Sequence, residues 1–225
     1  ALVRSWLGRV VDGIGRPLDA GGALHGTLTK LERAAPPALS RPPIARVFAT
    51  GVRAIDGLCT VGEGQRIGLF APAGVGKTTL LARIGRASPA DVVVLCLVGE
   101  RGRELRDVLE RGFDAETRAR SVVVCATSDA PALERVKCAH LATAVAEHFR
   151  DQKKSVLLLV DSLTRFVRAG RDVGLSAGEF PARRGYPPSA FAALAPLLER
   201  AGTNEHGAIT AFYTVLVEGN DLDEP

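Results

Sequence analysis

Residues 65–81, QRIGLFAPAGVGKTTLL, constrain the fold more than any other stretch. Ile67, Leu69 and Phe70 give a buried-strand pattern that runs into a glycine-rich turn and then a helix, so strand, turn and helix start must follow one another directly. Glycines at 74 and 76 let backbone amides approach an anion closely, and the helix points its positive end there. The stretch reads as a phosphate-binding loop of the form GxxxxGK[ST], with Ala71 replacing the first glycine at little cost while that residue keeps φ negative. The candidate nucleotide-binding residues are Ala73, Gly74, Val75, Gly76, Lys77, Thr78 and Thr79. Lys77 would reach the β- and γ-phosphates, and the Thr78 hydroxyl is placed to hold Mg²⁺, a cation that prefers oxygen ligands.

The rest of the 225-residue chain suits such a loop. Apolar residues make up 46% and aromatics only 5%, as expected for a parallel sheet built from aliphatic side chains and covered by helices. An α/β fold is therefore expected. A net charge of +4 and a pI near 9.1 are mild biases that do not choose among phosphate-rich ligands, acidic proteins and anionic lipids. Cys59, Cys96, Cys125 and Cys138 form no CxxC pair and read as buried free thiols, which points to a reducing cytoplasm. His140 and His148 share a helix without ligand spacing, so no metal is assigned beyond nucleotide-bound Mg²⁺. No apolar run approaches the roughly 20 residues of a membrane helix. A start at Ala1, with no methionine anywhere, suggests a piece of a longer polypeptide, although initiator removal before alanine is ordinary.

Turn signals organise the chain. Residues 1–35 carry short alternating segments broken at Asp12-Gly13, Gly15-Arg16-Pro17 and Gly21-Gly22, the pattern of a small β module or its remnant. PPALSRPP at 36–43 reads as a semi-rigid linker, and residues 44–225 as the main domain. Thr50 to Leu58 is expected to contain a short helix. Buried strands are expected at Asp91 to Val98, Ser121 to Thr127 and Val156 to Val160. Between the last two lies a helix capped by Asp129, with Pro131 in its first turn, burying Leu133, Val136, Leu141, Val145 and Phe149. Gly170 to Pro188 reads as a long loop, followed by a helix at Ser189 to Arg200 and a strand at Ala208 to Val217. Alternating strands and helices argue for a mainly parallel sheet.

Two carboxylates follow strands. VLLLV ends at Asp161, the arrangement by which phosphate-loop enzymes hold Mg²⁺ through a water; the plainer role is a helix cap for Leu163 onward. Glu100 leaves the Asp91 strand, taken to be next to the loop strand, and is the candidate to orient an attacking water; the plainer role is an ion pair with Arg101 or Arg103. Arg101 and Arg165 are weaker candidates for γ-phosphate contacts.

With the loop, GERGRE, VLLLVDSLTRF and RRGYPPSAFAALAPLLERAG in order, the chain resembles the rotary-type ATPases, and within them the ATPases of type III protein secretion and flagellar export. The likeness runs from LGRVVDGIGRPLD at Leu7 to EGNDLDEP at the end. It implies a RecA-like core preceded by a β-barrel whose tail is residues 1–35. It also implies a homohexameric ring and ATP hydrolysis with Mg²⁺ held by Thr78 and, through water, by Asp161. Glu100 in the GER motif would be the catalytic base, with Lys77, Arg101 and Arg165 assisting. Implied partners are secretion chaperones, export substrates, and stalk and regulator proteins, at the cytoplasmic face of the inner membrane. No nucleic acid is expected, since Trp6, Tyr186 and Tyr213 form no stacking platform interleaved with basic residues. The chain ends before the family's arginine finger and adenine-packing residue, and a finger is worth about 10³ to 10⁵ in rate, so weak binding and slow turnover are expected of this chain alone. Three readings compete: a non-catalytic ring scaffold, a nucleic-acid motor, and an ATP synthase or vacuolar-type subunit.

Overall fold

Strands made of consecutive β-branched residues have no polar face and must be covered on both sides. The computed structural model, which describes residues 6–24 and 30–217, covers them with helices. β1 (Val10–Asp12) is followed by α1 (Arg53–Leu58), β2 (Arg66–Ala71), α2 (Lys77–Ala87) and β3 (Val92–Glu100). Next come α3 (Gly102–Asp107), a wide turn of π type (Val108–Gly112), α4 (Ala115–Ala119), β4 (Ser121–Thr127), α5 (Ala132–Arg150) and β5 (Ser155–Asp161). α6 (Leu163–Ser176), α7 (Pro188–Ala192), α8 (Leu194–Glu199), β6 (Gly202–Thr203) and β7 (Ala208–Leu216) complete the order. The sheet runs β1-β4-β3-β5-β7-β2, every neighbour parallel, with only the two-residue β6 antiparallel against β7. This is the mainly parallel α/β fold the composition called for.

Two apolar layers flank the sheet. Leu81 and Ile84 of α2 pack with Val108 and Phe113 over Val93, Leu95, Leu157 and Phe212 on one face. α5 and the α6–α8 segment cover Val94, Cys96, Leu158 and Ala211 on the other. That division follows from handedness: crossovers travelling one way along the sheet leave their helices on one face, and those travelling back leave them on the opposite face. β2→β3→β4 travels one way and β4→β5→β7 the other. The reversal puts the ends of β3 and β5 side by side.

Several expectations change. β2 is not a buried strand beside β3: β7 and β5 separate the two, and its exposure alternates so that Phe70 is 64% exposed. Among the described residues its outer edge pairs with no strand. Residues 170–176 are helix rather than loop. Gly170 and Gly174 lie where α6 crosses the α7 segment, and a Cβ at 174 would sit 2.8 Å from the Pro187 ring. The expected helix at 189–200 is two short helices meeting at Ala193. α5 starts after Pro131 with no side-chain cap, because the Asp129 carboxylate turns back to Thr127. Leu133 is exposed, whereas Leu141, Val145 and Phe149 are buried. Cys59 is exposed and the other three cysteines are buried and free. Val10–Asp12, grouped by sequence with the N-terminal module, pairs with β4 at the sheet edge, and Trp6 is buried in the α5-side core. Residues 218–225, the last motif of the resemblance, lie outside the described residues.

Candidate functional site

The carboxyl ends of β2, β7, β5 and β3 carry Ala71, Leu216, Asp161 and Glu100 in turn. Open parallel sheets bind ligands at these ends, where the strand order reverses. A cleft of about 450 Å³ opens there, lined by Ala73, Gly74, Gly76, Lys77, Thr78, Thr79, Glu100, Arg101, Glu104, Asp161, Arg165 and Leu216. Every candidate site residue of the sequence except Val75 borders it. The Val75 side chain is 60% exposed, so its backbone is what it can offer. A cleft of similar size lies at the opposite strand ends beside Asp91, Ser155 and Ala208, away from these groups.

The loop has the backbone an anion cradle requires. Gly74 and Gly76 hold φ of +80° and +91°, a region open to glycine and strained for other residues, and Gly76 caps the N-terminus of α2. The Lys77 ammonium donates to the carbonyls of Ala71 at 2.7 Å and Pro72 at 2.5 Å, which keeps it within the loop. Partial burial lowers its pKa, while the Asp161 carboxylate pulls the other way.

Asp161 is 3% exposed, and each of its oxygens accepts a hydroxyl proton. Thr78 Oγ1 donates to Oδ2 at 2.6 Å and Thr214 Oγ1 to Oδ1 at 2.6 Å. Asp161 does not cap α6; Ser162 does, its Oγ accepting from the Arg165 amide. A carboxylate and a hydroxyl in contact at the loop are hard oxygen donors, a set that suits Mg²⁺. The residues present fit that ion.

Glu100 reaches the cleft through an irregularity. The β3–β4 register shifts between Val98 and Glu100, and Gly99 between them takes φ +68° with the Arg165 side chain laid across it. Arg165 donates to the Gly99 carbonyl at 3.0 Å and pairs with the Glu100 carboxylate. Glu100 thus has neither expected arginine partner: Arg101 is exposed at the cleft wall, and the ion pair is with Arg165 instead. Burial, and hydrogen bonding with Glu104, push the Glu100 carboxyl up to about 7 against the pull of Arg165, while Glu104 moves down because it accepts from Glu100. Such a group is a base that titrates near neutrality.

Two site residues escaped the sequence reading. Glu104 was visible within GERGRE as the first-turn carboxylate of α3, four residues after Glu100. Thr214 had no signal; it sits in an apolar strand pattern.

The nucleotide-binding domain of the ATP synthase alpha/beta family matches residues 51–225. Curated relatives include the type 3 secretion system ATPase of Xanthomonas euvesicatoria, 54% identical over 220 residues, and the flagellum-specific ATP synthase of Bacillus subtilis, 53% identical over 221. Each alignment covers 97% of this chain and 50% of the relative, so the chain spans about half the length of the curated relatives it matches. Among solved structures, a prototypical ATPase from the type III secretion system of pathogenic bacteria superposes with a TM-score of 0.92 at 50% identity, covering 100% of this chain and 65% of that one. The assembled ATPase EscN from enteropathogenic E. coli gives 0.93 at 50% identity, covering 100% and 55%. With this loop, sheet order and cleft, the chain belongs to the ATP synthase alpha/beta family, whose nucleotide-binding domain it carries.

Proposed function

We propose that this chain is the catalytic core of a Mg²⁺-dependent ATPase that drives type III protein secretion, with flagellar export the nearest alternative. The observation that carries the reading is the convergence of Lys77, Thr78, Asp161 and Glu100 on one cleft from the ends of β2, β5 and β3. The loop amides and Lys77 would bind the β- and γ-phosphates, and Thr78, with Asp161 through a water, would hold the cation. Mg²⁺, when bound, neutralises charge developing on the phosphate oxygens. Glu100, seated beside Arg165, accepts a hydrogen bond from the attacking water, and its near-neutral pKa allows it to take the proton. Arg101 lies exposed at the cleft rim, where it can approach the γ-phosphate.

The relatives support the cellular role, one being named for type 3 secretion and another for the flagellum. The EscN structures are of an assembled ATPase and of its complex with the central stalk EscO, which supports a homohexameric ring engaging a stalk. Export substrates, their chaperones and regulator proteins are the proposed partners, at the cytoplasmic side of the inner membrane; no helix among the described residues is long and apolar enough to cross it.

The test is Mg·ATP hydrolysis by the intact protein over a range of protein concentrations, beside Glu100→Gln. Specific activity should rise with concentration and fall by at least about 10²-fold in the variant, the scale of a lost general base. Activity indifferent to Glu100 would remove the catalytic assignment and leave a ring scaffold.

A further inference from the structure

Apart from Tyr213, which faces the α5 side, the polar side chains of β7 are two fully buried threonines. Thr210, Phe212 and Thr214 point to the α2 side of the sheet, and each threonine is 0% exposed. A valine has the same shape and would sit in either place without a polar atom to satisfy. A buried hydroxyl is costly unless it is hydrogen-bonded, so the partner of each says what it does. Thr210 is structural: its Oγ1 accepts from the Gly64 amide at 2.9 Å and ties the approach to β2. Thr214 donates to Asp161 Oδ1 at 2.6 Å, with the Val160 carbonyl a more distant acceptor at 3.4 Å.

We propose that Thr214 is a positioning residue for divalent-cation binding, an inference that rests on the nucleotide-binding reading of this cleft. Asp161 has rivals for its carboxylate. Lys77 and Arg165 line the same cleft; Lys77 feels the Asp161 charge even while it is held to the loop carbonyls, and Arg165 is held to Glu100, so a carboxylate without a second anchor stands in a strongly positive field. By occupying Oδ1 from the buried side, Thr214 holds the carboxylate plane so that Oδ2 stays against Thr78, where the cation's oxygen ligands must gather. Thr214 is fully buried behind the cleft rather than part of its lining, so it acts through Asp161. Partners that orient a metal-binding carboxylate carry a sizeable share of metal affinity.

The experiment is a titration of the intact protein with a fluorescent N-methylanthraniloyl ADP, in EDTA and over a series of Mg²⁺ concentrations, for wild type, Thr214→Val and Thr214→Ser. In EDTA the three should bind the nucleotide within about twofold of one another, while Thr214→Val needs about tenfold more Mg²⁺ for its half-effect and Thr214→Ser returns close to wild type. Thr214→Ala, which removes the hydroxyl without adding bulk, must repeat the valine result. Wild-type Mg²⁺ dependence in the hydroxyl-free variants would overturn the proposal, as would equal weakening with and without Mg²⁺. A wild type that binds nucleotide with no Mg²⁺ increment overturns the cation role of Thr78 and Asp161 together with that of Thr214. A wild type that binds no nucleotide overturns the proposed function itself.

Discussion

Glu100 and Glu104 meet at the cleft, and their hydrogen bond raises the pKa of the first and lowers that of the second, which has a consequence in pH. Glu100 is raised from 4.5 to about 7, so its protonated form adds stability that is complete below about 4.5 and lost as pH rises through about 7. Activity runs the other way. A base must be ionised, so kcat/KM, which reports the free protein, should climb with pH along a limb centred near 7. Glu104→Gln replaces a carboxylate that takes up the Glu100 proton with an amide that can donate to the ionised form. The acid limb of the intact protein's pH–rate profile should then move down by about one pH unit, and an unmoved limb would separate Glu104 from the base.

At the scale of elements, the ends of strands and helices deliver the chemistry, and the sequence exposes some of these ends better than others. Ser121–Thr127 is read to the residue because its apolar run, Val122 to Ala126, fills the strand between two polar ends. The loop, Asp161 and Glu100 are legible for a related reason: each follows directly on an apolar run. Pairing order is not legible, because an apolar stretch carries no mark of its neighbours, and so the sequence alone does not separate β2 from β3. Glycine misled in the same way. Gly170 and Gly174 serve close packing of α6 against the α7 segment, yet in sequence they look like loop. Thr214 went unseen because its meaning lies in a carboxylate on the neighbouring strand. α5 hides another partner of this kind: Glu147, 1% exposed, accepts from Arg200 Nε at 2.9 Å and Nη2 at 2.8 Å. Glu147→Gln strands the guanidinium in the core. It should cost about 3 to 5 kcal/mol, read as a lowered midpoint in chemical denaturation of the intact protein, without moving the Mg²⁺ dependence of nucleotide binding.

For the whole molecule, the sheet is a ruler that sets the spacing of the site. Glu100, Asp161 and Thr214 stand on strands fixed in register by continuous parallel ladders, with the Gly99 irregularity re-aiming Glu100. The same sheet has an end that matters at the bench. Edge strands with unpaired amides and exposed apolar side chains recruit other edges, and among the described residues β2 offers both, with Phe70 facing out. Preparations of this 225-residue chain should therefore scatter light increasingly as they are concentrated, and Phe70→Lys should raise the concentration at which scattering begins, while equal scattering by the two would clear this edge. The strand that presents the phosphate loop would then be the first part of the chain to need shielding during purification and storage.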